Sequence, residues 1–171
     1  LAGAKPHPFS GFTLSVCQLR PGSRGSVRIR SADPFEAPAM VPNYLSTEED
    51  RLCAVEAVKF ARRLAATPAV APYVREEYKP GPGVGSDAEI LDWCRGNGAT
   101  IFHPSGTCRM GNDAMAVVDS RLRAIGVAGL RVVDCSVMPT LVSGNTNAPV
   151  AMIAERASDL ILADAAAGRP A

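Results

Sequence analysis

Only two histidines occur in the 171 residues, and their surroundings differ. His103 follows the apolar pair Ile101 and Phe102 and opens the stretch HPSGTCRMG. Pro104 disfavours helix at the residue before it, and Gly106 supplies turn chemistry. Strand ends that break into tight turns are where folds present reactive side chains, and histidine is the residue type whose ordinary pKa lies nearest neutrality. A general base at His103 is one reading, and a hydrogen-bonded structural histidine is the other. His7, between two prolines in KPHPF, reads as an ordinary surface residue. The second polar cluster is SGNTNAP, with Asn145 and Asn147 two apart at the predicted start of the last helix. Free N–H groups at a helix start favour partial negative charge. One asparagine can cap the helix while the other faces a ligand, or both can be structural. Asp134 and Cys135 follow the apolar run LRVV and so fall at another predicted strand end, where open sheets place ligand contacts. A turn-forming aspartate is the plain alternative. Cys108 and Met110 have no charged neighbour in sequence that would activate a thiolate, so core packing is expected of them.

These residues need elements to position them. FTLSVCQLR, residues 12–20, alternates apolar and polar side chains, PGSRG is a turn, and SVRIR alternates again, which predicts a β-hairpin. TEEDRLCAVEAVKFARRLAAT places Leu52, Val55, Val58 and Leu64 near helical spacing, with acids early and arginines late; a helix capped near Ser46 or Thr47 follows. YKPGPGVGS is a connector. Ser86 and Glu89 then have capping-box spacing, and Ile90, Leu91, Trp93 and Cys94 supply an apolar stripe. Strand-like segments are expected at 99–102, in AVVD and in LRVVDCSVM. A long helix opens around Asn147 to Pro149, with Val150, Ile153, Ala157, Leu160 and Ile161 on its apolar face. The tail AAAGRPA is expected to fray. The fold class is α+β.

Composition narrows the chemistry. A hydrophobic content of 47% with 20% charged residues is that of a globular chain. The net charge of +1 gives no reason to propose nucleic acid as a partner. Five cysteines, Cys17, Cys53, Cys94, Cys108 and Cys135, are an odd number without CxxC spacing. That argues against a zinc site and a disulfide scaffold and for reduced thiols. Two histidines and scattered acids make a poor ligand set for a metal-dependent hydrolase, so no metal site is expected. No apolar run approaches the roughly 20 residues of a bilayer crossing, and no signal-peptide pattern opens the chain. A cytoplasmic location is expected, with peripheral membrane association as the alternative. No glycine-rich dinucleotide fingerprint is visible. Leu1 in place of Met gives the expectation of a fragment.

The stretch from HPSGTCRMG through AVVDSRLRAIGVAGLRVVDCSVMPTLVSGNTNAPVAMIAERASDLI resembles the C-terminal signature of the glucose–methanol–choline (GMC) oxidoreductases. It is most similar to their bacterial choline and alcohol dehydrogenase branch. SRGSVRIRSADPFEAPAMVPNYLSTEEDRL resembles the same family's substrate-domain strand, turn and helix start. The resemblance runs from about Phe12 to about Leu162. It implies an antiparallel-sheet substrate domain with flanking helices over residues 1–110. Residues 111–171 would be the C-terminal strand–helix portion of an FAD-binding Rossmann-like domain, whose glycine-rich N-terminal segment is a missing partner. It implies FAD as cofactor and a small-molecule alcohol as substrate, with His103 as the active-site base and Asn145 as its partner. Asp134 and Cys135 would lie near the FAD diphosphate, and Thr146, Asn147 and Pro149 near the flavin edge. Cys135 stands where the family more often has alanine. Oxygen and a quinone-like carrier both remain open as electron acceptors. The alternative function is a non-catalytic substrate-binding or assembly module.

Overall fold

The computed structural model describes residues 7–168, which form two compact units. One comprises the N-terminal segment through Gln18 together with Glu48–Gly98; the other comprises Leu19–Thr47 and the chain from Ala99 onward. The architecture is helices plus one small antiparallel sheet. No described helix is long and apolar enough to cross a membrane.

The first unit is built on two helices, α1 (Glu48–Ala65) and α2 (Asp87–Asn97). Acids at 48–50 and arginines at 62–63 complement the dipole of α1. Val55 and Val58 on α1 close over Ile90 on α2, with Val84, Leu91 and Cys94 packed around them. Leu52, expected on the same stripe, is exposed. The connector between the helices is tied down by Arg62, whose Nε donates to both Glu77 carboxylate oxygens at 3.1 Å and whose second nitrogen reaches the Gly81 carbonyl at 3.2 Å. The capping box forms as expected: Ser86 accepts from the Glu89 N–H, and the Glu89 carboxylate accepts from the Ser86 N–H at 2.8 Å. His7 is exposed and stacks on Phe9 at 4.9 Å.

The second unit holds the sheet, β1 (Ser26–Arg28) against β2 (Ala39–Val41), in register Ser26↔Val41. This corrects the expected hairpin with residues 12–20, which are in neither strand. β2 is three residues bracketed by Pro38 and Pro42, so little alternation marks it. The chain reverses instead at Asp33, which accepts from the Phe35 N–H at 2.9 Å. Gly25 is required beside the sheet, because a Cβ there would lie 2.2 Å from the Val41 carbonyl oxygen. The strands expected at 99–102, AVVD and LRVVDCSVM are also absent among the described residues. Only single bridges form, Met110↔Val118, Val118↔Ala124 and Arg123↔Arg131. Residues of high β propensity make a ladder only where a neighbour runs alongside for several residues, and here each crosses its partner once.

Around these bridges lies the core of the unit: Val118, Leu122, Val137 and Ala157, with Met110, Val132, Val133 and Ile153 against it. Ala157 belongs to α3 (Asn147–Ala166), the predicted last helix. Leu160 is also buried, whereas Ile161 is exposed. Near the end of α3, Asp164 is 1% exposed and accepts from Arg121 at 2.7 Å and from Arg131 at 2.5 Å. The tail beyond residue 168 lies outside the described residues.

Two predictions follow from this packing. Asp164→Ala leaves the buried Arg131 guanidinium without its counter-charge, and the loss of one partner from a buried pair costs about 3–5 kcal/mol. Urea unfolding should show it; a loss below about 1 kcal/mol would contradict the clamp. The backbone N–H groups of Ser86 and then Gly85 hold the Glu89 carboxyl below its ordinary range. A depressed folded-state pKa adds stability above the unfolded value that is lost as pH falls through the folded one. Glu89→Gln should therefore flatten the acid limb of thermal stability between about pH 6 and about pH 3, and an unaltered limb would exclude this role.

Candidate active site

Three segments of the second unit converge: the loop from His103 to Cys108, the turn from Asp134 to Val137, and the turn from Ser143 into α3. Backbone bonds join the first two, Cys108 N–H to the Ser136 carbonyl at 3.0 Å and Met110 N–H to the Val137 carbonyl at 2.8 Å. The Cys135 thiol donates to the Pro104 carbonyl at 3.3 Å. His103 closes the third side. Its Nε2 lies 3.2 Å from Asn145 Oδ1 and its Nδ1 lies 2.8 Å from Thr146 Oγ1.

Local sequence explains how each part is held. Phe102 takes a left-handed φ of 62°, rare for a bulky residue, and turns the chain immediately before His103. This replaces the expected strand end. Gly106 has φ of 84°, a conformation natural to glycine, which lets the loop return toward Cys108. Asp134 N-caps a 3₁₀ turn, Cys135–Val137, by accepting from the Ser136 N–H at 2.7 Å. It therefore lies at a turn start rather than a strand end. Ser143, two residues before Asn145, accepts from Arg20 Nε at 2.7 Å.

At the start of α3 the N-cap is Thr146, and its side chain makes no capping bond. Neither asparagine is the cap. A threonine in this position ordinarily contributes about 1 kcal/mol by bonding the first turn, and here the hydroxyl goes to the imidazole instead. Asn147 is the first residue of α3 and is exposed, while Pro149 is half-buried. Thus His103 contacts both Asn145 and Thr146, Cys135 touches the loop beside His103, Asp134 caps the neighbouring 3₁₀ turn, and Asn147 and Pro149 lie in the first turn of α3. The contact between Thr146 and His103 was not foreseen. The one signal for it is a capping residue type directly after Asn145 at a helix start.

The geometry accommodates either neutral tautomer of the ring. With Asn145 Oδ1 facing it, Nε2 carries a proton and donates, and Nδ1 accepts the Thr146 hydroxyl. Turning the amide over puts Nδ2 against Nε2; Nε2 then accepts, and Nδ1 carries the proton and donates to Thr146. Both patterns satisfy both ring nitrogens. No group of three or more His, Cys, Asp or Glu side chains that could hold a metal ion occurs among the described residues.

Residues 21–154 match the profile of the GMC oxidoreductases. The chain belongs to the GMC oxidoreductase family. The matched stretch of this GMC region contains every residue of the candidate site. Among curated relatives, the chain is 47% identical over 152 residues to an alcohol dehydrogenase [acceptor] of Pseudomonas putida, covering 89% of the chain and 28% of that protein. It is also 47% identical over 162 residues to an oxygen-dependent choline dehydrogenase of Staphylococcus xylosus, covering 93% of the chain and 29% of that protein. The chain thus spans less than a third of the length of these relatives. Among solved structures, an FAD-dependent oxidoreductase from Chaetomium thermophilum superposes with a TM-score of 0.78 at 32% identity. That alignment covers 84% of the chain and 25% of the other.

Proposed function

We propose that this GMC region supplies the proton-handling part of an FAD-dependent oxidation of a primary or secondary alcohol to a carbonyl. The observation that carries the reading is the contact between His103 Nε2 and the Asn145 amide, 3.2 Å apart, beside the start of α3. An alcohol hydroxyl at that point meets a base and a hydrogen-bond donor together. His103 takes the hydroxyl proton at Nε2, and Asn145, with Nδ2 turned inward, donates to the same oxygen as charge gathers there. General-base catalysis of this kind contributes about 10²–10⁴-fold. FAD, when bound, supplies the two-electron acceptor that no side chain offers.

The residues present suit that cofactor. The N–H groups of Asn147 and Ala148 open α3 without intrahelical acceptors, at the positive end of the helix dipole. The exposed Asn147 amide lies beside them. Cys135 turns its thiol to Pro104, so its contribution is the backbone N–H, a donor suited to a diphosphate. The Asp134 carboxylate would repel a phosphate and suits a sugar hydroxyl. Residues 1–110 are assigned to the substrate-binding domain and 111–171 to the end of the FAD-binding domain. We assign the glycine-rich phosphate-binding half to polypeptide outside these residues, in keeping with the share of the relatives that is covered.

In the polypeptide that carries both halves, His103→Ala should slow single-turnover flavin reduction by alcohol about 10²–10⁴-fold while FAD content stays near wild type. Unchanged reduction would sink the base assignment. Asn145→Ala should cost less, about 10-fold, because it removes a hydrogen bond and not the proton acceptor. By itself the 171-residue chain should neither retain FAD through gel filtration nor turn over, and a yellow, active preparation would overturn the division of labour.

A further inference from the structure

Resting on that reading, we propose that Thr146 is the positioning residue of His103: its hydroxyl holds Nδ1 in every protonation state of the ring and keeps Nε2 aimed at the substrate oxygen. Three observations carry this. The Oγ1···Nδ1 distance is 2.8 Å, shorter than the 3.2 Å contact on the other side of the ring. Thr146 is 7% exposed, so water competes little for the hydroxyl. Its backbone is fixed at the N-cap, where its carbonyl accepts from the Val150 N–H at 2.9 Å.

The chemistry of a hydroxyl supplies the rest. It donates one proton and accepts at two lone pairs. When Nδ1 is bare, the hydroxyl donates to it. When Nδ1 carries a proton, as in the tautomer that leaves Nε2 free to act as a base, the oxygen accepts. After Nε2 has taken the substrate proton, the imidazolium still donates from Nδ1 to the same oxygen. The contact survives each change by rotation about the C–O bond, with no heavy atom displaced. Asn145 cannot serve in this way, because its amide must leave Nε2 and turn to the substrate oxygen during the reaction. Without Thr146 the ring would then be free to flip about its Cβ–Cγ bond and present carbon in place of nitrogen.

The test compares Thr146→Val, which keeps shape and removes the hydroxyl, with Thr146→Ser, which keeps the hydroxyl. The chain contains only His7 and His103, so ¹⁵N-labelled histidine gives two sets of ring resonances. Thr146→Val should move the His103 Nδ1 and Nε2 shifts toward the averaged values of a free imidazole, and Thr146→Ser should leave them in place. In the polypeptide with both halves, Thr146→Val should slow flavin reduction by about 10-fold with alcohol affinity altered less than about 3-fold, while Thr146→Ser stays within about 3-fold of wild type in both. Unmoved ring shifts in Thr146→Val overturn the proposal, as does equal slowing by the two variants, which would mean packing. If the shifts move as expected but His103→Ala reduces flavin at the wild-type rate, the base reading has failed and the positioning role falls with it. Normal catalysis by Thr146→Val beside a slow His103→Ala overturns the positioning role alone.

Discussion

The candidate site depends on the placement of one helix, and that placement depends on a buried charge. Asp164 accepts from two guanidiniums that lie ten residues apart in sequence, so the segment from Arg121 to Arg131 and the far end of α3 are drawn together. Thr146 lies 18 positions earlier, about 27 Å along a helix rising 1.5 Å per residue. Ile153, Ala157 and Leu160 bury the face between these ends. A helix seated along that length is a rigid lever: fixing its end and its face fixes the direction in which Asn145 and Thr146 leave it. The loop that carries His103 is tied to the same core through Cys108, Met110 and Cys135. Both halves of the imidazole contact are therefore referred to one packed body, although 42 residues separate them in sequence.

Local signals in the sequence were legible because their physics is local. Ser86 and Glu89 are close enough along the chain to bond each other wherever the rest of the protein goes, and the box forms. The acids and arginines of α1 and the start of α3 at Asn147 were visible for the same reason. Pairing across distance was not. SVR reads as half a hairpin, but nothing in its own residues selects AMV between two prolines over the more regular alternation of residues 12–20. The bond of Arg20 to Ser143, 123 residues away, has no trace in spacing. At the site the same division holds. His103 and Asn145 could be named from residue type, position and family resemblance, whereas the hydroxyl on Nδ1 could not. The resemblance places Thr146 near the flavin edge, because a cofactor edge is what a family pattern reveals and a contact with a distant ring is not.

The assignment of the flavin half to polypeptide outside these residues also accounts for the distribution of apolar surface. Phe12, Val16, Met40, Val41, Ile101 and Phe102 are all exposed, and both strands of the sheet are open to solvent. Soluble surfaces carry single apolar residues freely, but runs of alternating apolar side chains on unpaired extended segments are costly to leave uncovered. Residues 12–20 have the alternation of a strand but are in no strand of the described residues. A region matching less than a third of its relatives' length would present such edges wherever the remaining two-thirds packs.

The character of the ring's partners bears on the chemistry. A carboxylate on an imidazole accepts permanently, pinning one tautomer and adding a negative charge that stabilises the protonated ring. Here both partners are neutral, an amide on Nε2 and a hydroxyl on Nδ1. The amide can turn over and the hydroxyl can rotate, so neither tautomer is imposed and the site's charge changes only when the ring itself gains or loses a proton. What is constrained is the ring's orientation rather than its protonation. That combination suits a group that must accept a proton from a bound alcohol and later release it, because each half of the cycle keeps the same heavy-atom geometry. It suits a purely structural histidine less well. Such a residue gains from a fixed tautomer and has no use for an exposed amide at its second nitrogen, whereas Asn145 stands exposed beside the buried Thr146.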